Sequence, residues 1–205
     1  KCFANCSLPG INNLPDDLKY LAVAESALID TAGSGAGAGG LWQFMPDTGR
    51  AQGLIINDLV DERRDYQKST QAAIRYLQYL YGKFNNWALA MAAYNGGHNM
   101  LSARMSEQRV SSYYDLVLNP ETGRYVYRIL AIKYFFENAE KLGYNLEADD
   151  CFQWPPTKEA LVGEVPDLVT WSHQNKLTLR LLRELNPWIL KDSLPAGNWL
   201  LKTLN

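Results

Sequence analysis

Leu14, Leu18, Leu21, Glu25 and Leu28 follow one another in 4-3-4-3 steps, which puts all five on one face of a helix. Four leucines on that face need an apolar partner surface, yet a carboxylate stands among them. The seam constrains the chain twice. It requires a buried helix, and it carries Glu25 either inward with the leucines or to a solvated edge. Inward, desolvation would disfavour the charged carboxylate and raise its pKa. A carboxyl held protonated near neutral pH suits a general acid for glycoside cleavage. Pro15-Asp16-Asp17 suits the first turn of this helix, and residues 30–40 end it.

The same periodicity recurs downstream. Ser69 can cap a helix through Phe84, with Ile74, Leu77, Leu80 and Tyr81 inward. Asn86 opens another, bearing Trp87, Met91 and Tyr94 and stopped by Asn95-Gly96-Gly97. A fourth runs from Asn119-Pro120 to Gly143, with Asn as cap, Pro at the first position and Gly past the end. Strand alternation is nearly absent before residue 160, so a mainly α fold is expected, with residues 1–150 as its helical domain. Trp154-Pro155-Pro156 reads as a linker within 151–156. Beyond it lie helical patterns at about 166–175 and 178–186 and an extended stretch, Trp199–Leu204, together a small α+β appendage over 151–205.

A net charge of −2 supplies no long-range attraction to nucleic acid or an anionic membrane surface. No apolar run reaches the ~18 residues of a membrane span. Two histidines and three cysteines show no zinc-type spacing, so no metal is expected. Cys6 with Cys151, Cys2 with Cys6, and three free thiols all stay open, and cysteine usage leans towards export. The chain opens on Lys1 rather than Met, which fits an export signal already removed.

Residues 34–46 read SGAGAGGLWQFMP, and Gly35, Gly37 and Gly40 satisfy G-x-G-x-x-G, with Asp61 at a ribose-like distance beyond. A dinucleotide turn must leave a strand and open a helix at once. Here the preceding segment is helical, and the next helix starts only at Pro46. A floppy surface loop fits better but stumbles on LWQFMP, because four large apolar side chains around Gln43 are poorly suited to water. The remaining reading is a loop whose glycines let backbone approach a ligand closely, with Gln43 beside it.

The stretches AES, SGAGAGGLWQFMPDTGRAQGL, VDERRDYQKSTQAAIRYLQYLY and WALAMAAYNGG occur in this order, and together they resemble the family 1 lytic transglycosylases. These belong to glycoside hydrolase family 23 and share the goose-type lysozyme fold. The runs GLWQFMP and DER-D are most similar to those of its membrane-bound D-type branch. The resemblance covers roughly residues 14–143. It implies Glu25 as the single catalytic acid/base and Ser34 as a substrate-positioning residue. Gln43 and Met45 match positions beside the scissile bond, and Tyr94 and Asn95 match the AYN motif that faces the acid. Glu121 and Tyr125 match an ET-x-x-YV element, although Gly123 here separates the ET from Arg124. Plainer roles exist for several of these: Tyr94 as a core tyrosine, Glu121 as a helix-dipole partner, Met45 as packing. Trp42 reads as core, and Tyr113 and Tyr114 as either sugar platforms or packing.

The implied reaction cleaves the bond between N-acetylmuramic acid and N-acetylglucosamine without water, leaving 1,6-anhydro ends and using no cofactor. A muramidase hydrolase on the same fold is the nearest alternative. A non-catalytic wall-binding protein and a helical-repeat scaffold are the others, the latter lacking a 34-residue repeat. The implied partner is peptidoglycan glycan, the implied place the periplasm or cell envelope, with room for a lipid anchor, and a monomer is expected. LTLRLLRELNPWI with LPAGNWLLKTL resembles the second half of a LysM peptidoglycan-binding module, its first strand and glycine turn being hard to find.

Overall fold

The structure, a computed structural model, describes residues 14–145 and 155–205; the three cysteines, and hence their pairing, lie outside them. Contacts group the chain into two compact units, residues 1–27 with 73–151 and residues 28–72 with 152–205. Both units are discontinuous in sequence. This partition by contacts differs from the division at residue 150 expected from the end of the helical pattern and the Trp154-Pro155-Pro156 stretch.

In the first unit, a 3-10 turn at Asp16–Leu18 leads into α1, Lys19–Ser26. The helix stops earlier than the leucine seam suggested. Ala27 and Leu28 both adopt left-handed backbone, at φ 51° and 66°, which takes Leu28 off the helix. α4, Trp87–Gly96, begins as expected: the Asn86 side chain accepts from the Leu89 N–H. The buried Ala90, Ala92 and Ala93 of α4 let neighbouring helices approach, and α4 packs on both α5, His98–Gln108, and α6, Pro120–Glu137. Leu80, Leu89, Leu101, Tyr113 and Val126 complete this core. α6 starts with Asn119 capping two backbone N–H groups and Pro120 in the first turn, and α1 packs against it. It ends at Glu137, six residues short of Gly143, where a separate 3-10 turn takes over.

α3, Tyr66–Phe84, crosses the boundary between the units and begins one turn before the predicted cap. Asp65, not Ser69, caps it, accepting from the N–H groups of Gln67 and Lys68 at 2.9 and 3.0 Å. Both residue types cap well, and the earlier one wins by adding a turn.

The second unit contains the glycine loop, α2, Pro46–Ala51, and the C-terminal segment. That segment runs β1, Thr157–Val162; α7, Leu168–Gln174; α8, Leu179–Leu185; and β2, Trp199–Leu204. β1 and β2 pair antiparallel from Thr157↔Leu204 to Val162↔Trp199. The core here gathers Leu168, Leu182, Trp188, Leu194, Trp199 and Leu201 together with Val60, which is fully buried. Among the described residues no helix is long and apolar enough to cross a membrane.

Candidate active site

Glu25 occupies the last turn of α1 and is partly buried. Because α1 packs on α6, Glu25 meets Tyr125, whose hydroxyl donates to Glu25 Oε1. Burial pushes the Glu25 carboxyl above its ordinary value. The Tyr125 hydrogen bond and the Arg128 charge pull it down, while Glu121 pushes it up. The upward shift wins. The Tyr125 phenol, 3% exposed, is held well above its usual value by burial and then by the Glu25 charge. Tyr94 is raised in the same way by burial, by Glu25 and by Tyr76, whose ring centroid lies 5.5 Å away. Neither tyrosine competes with Glu25 as an acid near neutrality.

A second polar knot joins the end of α4 to the start of α6. Asn95 Nδ2 donates to Glu121 Oε1 at 3.2 Å, and the Thr122 hydroxyl donates to Asn95 Oδ1 at 2.8 Å. Gly96 has no room for a side chain: a Cβ would lie 2.3 Å from Met100 Cε and 2.8 Å from Thr122 Oγ1. The first unit thus brings together Glu25, Tyr94, Asn95, Glu121 and Tyr125. Arg128, one turn beyond Tyr125, escaped the sequence reading; its i+3 spacing from Tyr125 was the available signal. Tyr113 is buried with its hydroxyl 2.9 and 2.8 Å from the carbonyls of Thr122 and Gly123, a packing role. Tyr114 is exposed, edge-on to Tyr127.

Ser34, Gln43 and Met45 stand together in the second unit's loop. The exposed Ser34 closes a tight turn, its Oγ accepting from the Ala38 N–H at 3.0 Å. Gln43 sits at φ 46° and donates its amide to the carbonyls of Gly40 and Ala32, at 2.8 and 3.2 Å. That leaves its Oε1 as the end able to face a ligand. Met45, 44% exposed, directly precedes α2. Trp42 is buried and donates to Thr70 Oγ1 at 2.9 Å, as a core residue should.

The loop's glycines serve two different ends. Gly35 and Gly37 face open space, but a Cβ on Gly40 would lie 1.8 Å from the Arg63 carbonyl oxygen. Gly39 is close against the Arg63 guanidinium. Part of the glycine run therefore accommodates protein, not ligand. The segment after Gly40 turns back through a bridge between Gly39 and Phe44, so no helix N-terminus follows directly for a phosphate. No cluster able to hold a metal occurs among the described residues.

A mainly helical, lysozyme-like fold with one half-buried glutamate and a glycine loop defines the class. The sequence profile of the transglycosylase SLT domain matches residues 11–117, and the chain belongs to that family. It is 38% identical over 143 residues to membrane-bound lytic murein transglycosylase D of Escherichia coli K12, covering 67% of this chain and 32% of that protein. A putative tributyltin chloride resistance protein of an Alteromonas species is 34% identical over 95 residues, 46% of each. The chain thus spans about a third of the first relative and under half of the second. Among solved structures, a 70-kDa soluble lytic transglycosylase in complex with bulgecin A matches 67% of this chain and 24% of its own, at a TM-score of 0.50 and 23% identity, a likeness of fold.

Proposed function

We propose that the chain is a peptidoglycan lytic transglycosylase that cuts the β-1,4 bond between N-acetylmuramic acid and N-acetylglucosamine. The observation that carries this reading is the raised pKa of Glu25, set beside Tyr125 and Tyr94 in a chain of the SLT family. Glu25, protonated, gives its proton to the glycosidic oxygen as the bond from that oxygen to C1 breaks, and positive charge develops at the anomeric centre. The carboxylate then takes the proton of the muramic 6-hydroxyl while that oxygen bonds to C1. The products are a 1,6-anhydro end and a free 4-hydroxyl on the leaving sugar, and Glu25 ends protonated again. An internal nucleophile is already in place, and its effective concentration favours it over water. One carboxyl therefore serves both steps.

In this reading Tyr125 and Tyr94 orient Glu25, and Asn95 with Glu121 holds the adjoining donor-sugar contacts. Ser34, Gln43 and Met45 bind glycan from the glycine loop. The βααβ order of residues 157–204 supports a LysM-like module there, and the name of the D-type relative supports a place in the cell envelope. Digestion of purified peptidoglycan followed by mass spectrometry tests the reaction. Anhydromuramic ends are expected, and reducing muramic ends would replace the reading with hydrolysis.

A further inference from the structure

The C-terminal segment and the glycine loop are linked by an unbroken path of contacts within the second unit. Residues 59–61 pair with residues 188–190: the Asp61 N–H donates to the Trp188 carbonyl and the Leu190 N–H to the Leu59 carbonyl, each at 2.9 Å. Val60 and Ile189 bridge between them, and Val60 fills the core shared with Trp188 and Trp199. Trp188 is itself fixed, stacked on Trp199 at 5.7 Å.

From there the path is ionic. Asp61, 5% exposed, accepts from Arg63 Nε at 2.9 Å and, through its other oxygen, from Nη2 at 2.8 Å. That bidentate geometry aims the rest of the guanidinium. Arg63 Nη1 donates to the carbonyls of Gly37 and Phe44, at 2.7 and 2.9 Å, and so ties both limbs of the loop. Gly40 presses on the Arg63 backbone, and Gln43 donates into Gly40. A guanidinium that gives two hydrogen bonds to one buried carboxylate and two to loop carbonyls is placed by the carboxylate and places the loop.

We propose that Arg63 is a positioning residue for glycan binding and that residues 188–190 act through Asp61 to hold it, so that the C-terminal segment shapes the substrate loop. This deepens the transglycosylase reading and rests on it for the role of Gln43. The alternative is that the pairing serves only to keep the C-terminal segment folded.

The test uses the full chain carrying Trp188→Ala, Arg63→Ala or Arg63→Lys, with Val60→Ala as a milder lesion should Trp188→Ala not fold. Amide exchange of residues 37–44 is expected to quicken about tenfold or more in Trp188→Ala, or in Val60→Ala as its replacement, and in Arg63→Ala, while α4 and α6 keep their protection. On soluble glycan, KM should rise about tenfold with kcat changed less than about threefold. Arg63→Lys, a single-point donor, should restore only part of that binding. Trp188→Ala and Arg63→Ala combined should cost much less than the product of the two single effects. Unchanged loop exchange in a variant whose C-terminal segment has loosened would overturn the proposal, as would fully multiplicative effects. A wild-type digest without anhydro ends would instead sink the transglycosylase reading, leaving the exchange measurements to decide the coupling.

Discussion

The surroundings of Glu25 and the glycine loop reach a fixed geometry by opposite means. Around Glu25, side chains do it: a desolvated carboxyl accepts a hydrogen bond from the Tyr125 hydroxyl, and Asn95, Thr122 and Glu121 knot two helix ends together. In the loop, the groups held are mostly main chain. Turns at residues 34–38, bridges at Gly39 and carbonyls captured by Arg63 leave few side chains with a choice. The first arrangement tunes proton affinity and tolerates shape-preserving substitutions. The second tunes shape and tolerates almost none at its crowded glycine.

The largest expected difference is catalytic. Glu25→Gln keeps the shape and removes the acid, so activity should fall by about 10²–10⁴-fold or more in an assay of anhydro-end release. An active Glu25→Gln would end the idea that this region works by proton affinity. Next comes Gly40→Ala, with no ionisable group involved. It places a Cβ 1.8 Å from a backbone oxygen at φ 78° and should cost about 2 kcal/mol or more in denaturant unfolding. Gly35→Ala, in open space, should cost far less, and equal costs would break the contrast within the loop.

A subtler separation lies in the pH profile. Tyr125→Phe removes a hydrogen bond that favours the carboxylate, so the alkaline limb of the rate profile should move to higher pH while the rate drops about tenfold. Glu121→Gln removes a like charge and should move that limb to lower pH. The smallest effect is on stability. Between the unperturbed value of 4.5 and the raised one, the folded chain binds more protons than the unfolded chain, so stability falls as pH rises through that window. Glu25→Gln abolishes this loss and should melt higher than wild type at neutral pH, the advantage vanishing below about 4.5. An advantage that persisted in acid would assign it to packing instead.

What could be read from the sequence was what neighbouring residues decide. Asn86 and Asn119 announce their helices because a cap acts within three residues. Glu25 stood out because it broke a local period. α5, HNMLSARMSEQ, went unread because only Leu101 among its residues is buried, and so weak an apolar face leaves no clear stripe. β1 was missed for a similar reason: TKEALV is largely exposed and becomes a strand through pairing with β2 about forty residues on. The loop's glycines were read as room for a ligand, whereas Gly39 and Gly40 make room for Arg63, more than twenty residues away. Nothing local records such a distant neighbour.

Val60 sits at zero exposure among residues that come more than a hundred positions later. During synthesis this valine and its neighbours emerge early, then wait while α3 to α6 are made. If residues 188–190 hold Arg63 as proposed, residues 37–44 settle only after Trp188 has emerged, and an emerging chain carries its glutamate before its loop is finished. Such an order would make the loop a later-forming part than α3 to α6, a sequence of events set by the connectivity itself.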